Sequence, residues 1–104
     1  MYARLVEIEN IDASRRDEAL QNLRETVIPA LKEIDGFAGF ISLADEANSR
    51  ARSIVLWETR ESAEEAESQM ASRREEMVSR LGATVRSADL YEAPIVEVTA
   101  GARA

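Results

Sequence analysis

The stretch Ser53-Ile54-Val55-Leu56-Trp57-Glu58-Thr59 decides how this chain is interpreted, because it leads an apolar strand directly into a helix. Trp57 is the only tryptophan of the 104 residues, and it closes the strand. Binding residues often lie where a rigid element ends. By the two-residue period of a strand, Ser53 and Trp57 share one face. The corner that Trp57 closes is therefore a place where a pocket can form.

Composition limits the functions open to this protein. Its 20 acidic residues against 13 basic ones give a net charge of −7, which disfavours nucleic acid and anionic membranes as partners. The sequence has no cysteine and no histidine, which excludes disulfides, thiolate metal sites and the usual proton shuttle. We expect neither a metal nor a cofactor. Acidic residues interrupt the N-terminal apolar run early, so we expect no signal peptide, no membrane span and a cytoplasmic location.

The first half of the chain predicts a strand followed by a helix. Alternating apolar and acidic residues predict the strand over about residues 2–9. Apolar residues then recur at helical spacing over residues 14–35, and Gly36 is a suitable helix stop. Inside that helix Pro29 removes a backbone donor and crowds the preceding turn. We expect a kink or a break near residues 25–29.

The second half predicts a hairpin, a helix and a last strand. Apolar runs indicate strands at about residues 37–44 and 52–58, with the polar residues 45–50 between them. A helical apolar stripe covers residues 62–81, and a strand follows at about residues 84–91. The order β-α-β-β-α-β predicts one ferredoxin-like α+β domain over residues 1–104. Its four-stranded antiparallel sheet carries both helices on one face.

The second predicted strand is apolar on both faces. We expect one face to hold Phe37, Gly39, Ile41 and Leu43, and the other Ala38, Phe40, Ser42 and Ala44. One layer of helices covers only one face of a sheet. The sequence therefore predicts a homodimer in which two sheets pack through their uncovered faces and bury Phe40 or its neighbours. We expect residues 93–104 to form a tail that reaches the partner subunit.

Two segments of this chain resemble the antibiotic biosynthesis monooxygenase (ABM) superfamily of dimeric α+β barrels. They are Pro29-Ala30-Leu31 leading to Asp35-Gly36-Phe37-Ala38-Gly39-Phe40, and residues 55–63 around the Trp57-Glu58-Thr59 corner. The resemblance covers almost the whole chain. It implies two subunits that form a dimeric α+β barrel, and it is compatible with a cofactor-independent monooxygenase that oxidises a small polyketide-like or quinol substrate with O2. Haem-degrading members use an axial histidine that this sequence lacks.

The resemblance also implies site residues. In the polyketide monooxygenases of the superfamily, the corner tryptophan and an asparagine four residues earlier bind substrate oxygens. The resemblance therefore implies a catalytic and substrate-binding role for Trp57. Ser53 stands in the place of the asparagine and is the second catalytic candidate. A hydroxyl lacks the reach and the two donors of a carboxamide, so this position departs from the superfamily pattern.

Further candidates follow from the residues of the second predicted helix. Arg74 lies between Met70 and Met77 on the apolar stripe. A guanidinium facing an apolar cavity would bind a phenolate or carboxylate and lower its pKa, which makes Arg74 a third catalytic candidate. Met70, Met77 and Tyr91 are candidate substrate-binding residues. Whether Arg73 or Arg74 faces inward is open at this point.

Each candidate also has an ordinary structural interpretation. Trp57 fits a core position between helix and sheet, Arg74 fits a salt bridge to Glu67 or Glu75, and Tyr91 fits a strand position with its hydroxyl at the rim. Three functions are therefore open. They are an oxygenase acting on a small aromatic, a non-catalytic small-molecule-binding dimer, and a dimerising accessory module.

Overall fold

The computed structural model describes residues 1–99 as a four-stranded sheet packed against helices. The strands are β1 (Tyr2–Glu9), β2 (Phe37–Asp45), β3 (Arg50–Trp57) and β4 (Thr84–Glu92). The helices are α1 (Arg16–Asn22), α2 (Ile28–Lys32) and α3 (Arg60–Arg80). The sheet order is β2-β3-β1-β4 and all neighbours are antiparallel, which confirms the predicted ferredoxin-like α+β fold. None of the helices within residues 1–99 has the length and hydropathy that a bilayer crossing requires.

The first predicted helix has no gap between Arg16 and Lys32, but it changes its hydrogen-bond pattern before the proline. Between α1 and α2 the segment Leu23–Val27 forms a π-helical turn, in which the Ile28 N–H donates to the Leu23 carbonyl. Pro29 cannot donate to the preceding turn, and its ring crowds the carbonyl four residues back. The wider turn accommodates the proline without ending the helix. The predicted disturbance is therefore present as a bulge in the helix.

Backbone contacts fix the corner around Trp57. The Glu58 N–H donates to the Gly36 carbonyl at 2.8 Å, and the Thr59 hydroxyl caps α3 by accepting from the Ser62 N–H at 3.1 Å. Gly36 has a φ of +89°, and a Cβ there would lie 2.6 Å from Ser62 Cβ. Only glycine fits both the left-handed backbone and this close approach. The start of α3 is thus held against the beginning of β2.

A β-bulge in β2 changes which of its residues share a face. Phe37 pairs with Trp57 while Gly39 pairs with Leu56, so β2 uses two residues where β3 uses one. The extra residue places Phe37 and Phe40 together on the helix side of the sheet, where both pack against the core. Phe37 therefore does not share a face with Gly39, Ile41 and Leu43 as predicted, because strict alternation does not hold across a bulge. Of the predicted interface residues, Phe40 itself packs on the helix side instead.

The face of the sheet opposite the helices carries exposed apolar side chains. Ile41 is 40% exposed, Leu43 47% and Tyr91 52%. Register places Ile41 beside Ile54, and Tyr91 across β1 from Leu56. This surface, defined by Ile41, Leu43, Ile54, Leu56 and Tyr91, is called the open face below.

The predicted tail at residues 93–104 is described only as far as residue 99, and its remainder lies outside the described residues. The Ala93 N–H donates to the Met1 carbonyl at 2.8 Å, which keeps the start of the tail beside β1. Beyond it, Ile95 and Val98 expose most of their side chains.

Candidate functional site

A cavity of about 350 Å³ lies between the sheet and the helices. Its origin is visible along β3, whose helix-facing side chains become smaller in the order Trp57, Val55, Ser53, Ala51. The helix-facing side of β2 changes in the same way, from aromatic side chains at the Trp57 end to serine and alanine at the other. Small side chains at one end of the sheet leave a space that the helices do not fill.

The cavity wall is mainly apolar and comes from both layers. The sheet contributes Val6, Ile8, Phe40, Ala51 and Val55, and the helices contribute Leu23, Val27, Ala30, Leu31, Met70 and Met77. The polar lining residues are Arg4, Asn22, Thr26, Ser42, Arg52, Ser53, Arg73, Arg74, Glu76 and Arg80. An apolar wall with a few polar groups is typical of small-molecule sites, and about 300–1,000 Å³ is their usual size.

Four of the candidate residues meet at this cavity. Ser53 lines it from β3, and Met70, Arg74 and Met77 line it from consecutive turns of α3. The side chain of Arg74 is 16% exposed. Arg73 also contributes to the lining but is exposed to solvent. Arg74 is therefore the arginine of this pair that the fold buries.

Trp57 lies at the packed end of the same layer, beyond Val55 and outside the cavity lining. It is 2% exposed and belongs to the core cluster with Leu31, Val55, Ala63 and Ala66. The Phe37 ring meets the indole edge to face, with centroids 5.9 Å apart. This environment matches the ordinary packing interpretation. A donor role for Trp57 toward a ligand stays a prediction.

Tyr91 is the candidate that the fold does not bring to the cavity. It pairs with Ala3, whereas the helix-facing residues of β1 are those that alternate with Ala3. Its side chain therefore lies on the open face, on the other side of the sheet from Arg74. A contact between Tyr91 and a ligand stays a prediction.

Arg74 is held by a carboxylate that a second arginine shares. Its guanidinium donates to both oxygens of Glu67, with the Nη1 to Oε2 distance at 3.2 Å, and Arg4 Nε lies 3.8 Å from Glu67 Oε1. The hydrogen bonds from Arg74, and the charges of Arg74 and Arg4, hold the pKa of Glu67 below its ordinary value despite partial burial. Glu67 therefore remains ionised at neutral pH and is a weak proton acceptor.

Sequence reasoning missed Arg4, although a signal for it was present. Arg4 precedes Val6 by two residues and therefore shares the helix-facing side of β1. Its Nη1 donates to the Ala88 carbonyl at 3.3 Å, which fixes the guanidinium across the sheet from β4.

The small polar row on the first helix was also missed. Asn22, Thr26 and Ala30 recur every four residues beside the larger apolar stripe, and all three line the cavity. The Asn22 amide donates to Met77 Sδ, so a carboxamide is present beside the candidate methionine. The four-residue spacing of these small or polar residues places them on one face of the helix, and this spacing could have indicated the row from the sequence.

The acidic side chains do not form a metal site in the described part of the chain. Within residues 1–99 no group of three or more carboxylates lies close enough to hold a metal ion.

Comparison with solved structures assigns the fold to a known class. The chain is similar to a candidate antibiotic biosynthesis monooxygenase from Deinococcus radiodurans, with a TM-score of 0.73 and 14% identity over 97% of this chain and 100% of that one. It is also similar to the monooxygenase ActVA-Orf6 of Streptomyces coelicolor, solved with the ligand nanaomycin D. Here the TM-score is 0.70 and the identity 12%, over 95% of this chain and 92% of that one. For the haem-degrader MhuD from Mycobacterium tuberculosis, solved with two haems in its active site, the TM-score is 0.60 and the identity 20%. The similarity covers 95% of this chain and 99% of that one. No protein-family model matches the sequence, and no curated protein does.

These similarities confirm the ABM-like fold that the motifs around Phe37 and Trp57 indicate. The protein is an α+β protein with the architecture of the antibiotic biosynthesis monooxygenases. Because one fold supports many chemistries, the activity must be argued from the cavity itself.

Proposed function

We propose that the cavity binds a small aromatic molecule and that the protein oxidises it with O2 without a cofactor. The observation that carries this proposal is an apolar cavity with a partly buried arginine, Arg74, on its wall. The similar ActVA-Orf6 was solved with the ligand nanaomycin D, which supports a small organic molecule as the ligand. The absence of histidine from the sequence argues against a haem ligated in the way the resemblance implies.

The chemistry follows from the charge at the cavity. A positive charge beside a phenolic or anthrone oxygen favours its anion and lowers its pKa, so the substrate loses a proton to water. The anion transfers one electron to O2, and the resulting radical and superoxide combine to form a carbon–oxygen bond. The peroxide anion takes up a proton from water, and loss of water from the resulting hydroperoxide gives the quinone. For an anthrone, one O2 is consumed and one water is released, and the substrate is the only reductant.

The residues take distinct parts in this proposal. Arg74 stabilises the substrate oxyanion, Met70 and Met77 contact the aromatic body, and Ser53 donates a single hydrogen bond. The apolar wall excludes water and thereby strengthens the interaction between the anion and the guanidinium. Trp57 supports the wall from behind Val55 in this account, and we retain its direct hydrogen bond to substrate only as a prediction.

Oxygen consumption tests the enzymatic part. Purified protein is mixed with hydroquinones and anthrones of one to three rings, and O2 uptake and quinone absorbance are followed together. We expect uptake above the uncatalysed rate, with loss of most of it in Arg74→Met and retention in Arg60→Met. Arg60 is a matched control because it lies on the same helix and pairs with Glu64, away from the cavity. Calorimetric binding without any uptake would support the non-catalytic alternative and remove the oxygenase.

The homodimer is the second part of the proposal. The exposed apolar residues Ile41 and Leu43 on the open face support a sheet-to-sheet interface, since large exposed apolar patches mark association surfaces. The exposed Ile95 and Val98 of the tail support its predicted contact with the partner. A homodimer in the cytoplasm remains the expectation from the sequence.

Light scattering coupled to gel filtration tests the dimer. We expect the mass of two chains for the wild type and of one chain for Leu43→Lys, because a lysine would bury its charge at the interface. Arg60→Lys, at an exposed position of α3, is the surface control and should leave the mass unchanged. A wild-type mass of one chain at micromolar concentration would contradict this part and leave the accessory-module alternative without its dimer.

A further inference from the structure

The charged residues around the cavity are not equally compensated. Arg80 pairs with Glu76 at 2.9 Å, and Arg52 pairs with Glu7 at 3.4 Å. Each of these arginines has a carboxylate beside it, and each is largely exposed. Their charges contribute little net field inside the cavity.

Arg4 and Arg74 also share one carboxylate, as Arg52 and Arg86 share Glu7, but their side chains are far less exposed. Glu67 is the only ion-pair partner of either arginine within residues 1–99. The side chains of Arg4, Arg74 and Glu67 are 12%, 16% and 28% exposed. Two cations and one anion leave one positive charge at a site with limited access to water. Arg73, one residue before Arg74, lines the same cavity and has no ion pair in the described part of the chain.

Such an excess of charge is unfavourable unless something balances it. Partial burial weakens the hydration of a guanidinium, and an uncompensated charge in a low-dielectric site is costly. The chain as a whole carries a net charge of −7, so the positive site is a local exception. A ligand with one negative charge would balance the group formed by Arg4, Glu67 and Arg74.

We infer that the cavity selects an aromatic monoanion, whose anionic group, a phenolate or a carboxylate, binds Arg4 and Arg74 while its rings lie against the apolar wall. This inference rests on the proposed function, because it requires the cavity to be the ligand site. Glu67 pairs with both guanidinium groups and offsets one of their two charges, so it competes with the ligand for them. A planar guanidinium matches a carboxylate with two parallel hydrogen bonds, which a neutral amide of the same shape cannot accept equally well.

Matched pairs of acids and amides test the inference. Isothermal titration calorimetry compares benzoate, 2-naphthoate and 2-anthroate with their carboxamides on the full chain. We expect at least one acid to bind roughly 10-fold to 100-fold more tightly than its amide, as charge-assisted hydrogen bonds allow. Arg74→Met and Arg4→Met should remove this preference, and Arg60→Met should keep it.

Glu67→Gln provides a test with the opposite sign. Removing the shared carboxylate frees both guanidinium groups, so acid affinity should increase while amide affinity stays the same. This variant keeps the arginines, and it remains informative if Arg4→Met fails to fold. Unchanged or weaker acid binding in Glu67→Gln would overturn the shared-carboxylate arrangement.

The outcomes separate this inference from the proposed function. If acids and amides bind equally and the arginine variants behave as the wild type, the inference is overturned while the cavity remains a ligand site. If no acid and no amide binds at millimolar concentration, the proposed function fails and the inference fails with it.

Discussion

The two ends of the space between the sheet and the helices differ in how they are filled. At one end Trp57 and Phe37 meet edge to face, and Ala63 and Ala66 of α3 give the indole room. At the other end the strands present serine and alanine, and the helices leave the cavity of about 350 Å³. The same pair of layers thus forms a core at one end and a site at the other.

The difference teaches that side-chain size along a strand decides where this fold is packed and where it is open. Large and small side chains alternate across the packed end, so the layers interdigitate as in other protein cores. At the other end Ser53, Ser42 and Ala51 line the cavity, and no large side chain fills the space beside them. Substitutions at matched positions of the two ends should therefore have different and measurable consequences.

The largest contrast should come from truncation. Trp57→Ala should destabilise the protein by about 3–5 kcal/mol, because it removes the largest buried side chain and leaves a cavity. Ser53→Ala should change the free energy of unfolding by no more than about 0.5 kcal/mol, because its neighbours already border an open space. Urea denaturation followed by circular dichroism measures both. Equal losses at the two positions would show that the cavity end is as tightly packed as the core.

Enlargement should give the next contrast, with opposite signs. Ala66→Leu should cost about 1–3 kcal/mol, because α3 packs tightly at this buried position. Ala51→Leu places the same volume into the cavity and should leave stability unchanged or raise it by up to about 1 kcal/mol. Thermal unfolding measures stability, and calorimetry should show that Ala51→Leu no longer binds aromatic ligands. Ligand binding that survives in Ala51→Leu would locate the ligand elsewhere.

The smallest contrast concerns the charge of Glu67 beside the cavity. The folded-state pKa of Glu67 lies below its ordinary value of 4.5, so its ion pairs contribute stability above that pH. That contribution disappears as the pH falls through the lowered pKa, since the folded and unfolded carboxyl groups are then both protonated. Glu67→Gln should be less stable than the wild type by about 1 kcal/mol at pH 7, as expected for a partly exposed pair.

The matching measurement is the urea midpoint of both proteins from pH 7 downwards. The two curves should converge in acid, because the wild type then loses the carboxylate charge that Glu67→Gln lacks at every pH. Glu64→Gln is a suitable control, because its carboxylate pairs with Arg60 at an exposed position. A gap between wild type and Glu67→Gln that stays constant at all pH values would contradict a role for the carboxylate charge.

Local patterns predicted most of the fold. The strand at residues 2–9, the helix of α3 and the disturbance before Pro29 were each predicted from neighbours in sequence, and all three are present in the structure. The face assignment in β2 was wrong at Phe37, because the bulge depends on how β2 pairs with β3. A bulge adds one residue to one strand only, and nothing in the strand's own alternation reveals it.

The candidate site was predicted in part. Ser53, Met70, Arg74 and Met77 do line one cavity, and the strand and helix periods were sufficient to suggest them. The two-residue period of the strand also suggested Trp57 as a site residue, but this period shows only which face of the sheet a side chain is on. Whether it then packs or borders a space depends on the volumes of side chains from other elements.

The sequence by itself determined the order of the elements, the side of each helix that is apolar, and the absence of histidine and cysteine chemistry. Those properties are set by residue type and by spacing along one segment. Only the tertiary structure decided that Arg4 and Arg74 share Glu67 beside the cavity. Arg4 comes from β1 and the other two from α3, and segments this distant meet only when the whole sheet and its helices assemble. A charge balance among them is therefore a property of the assembled fold.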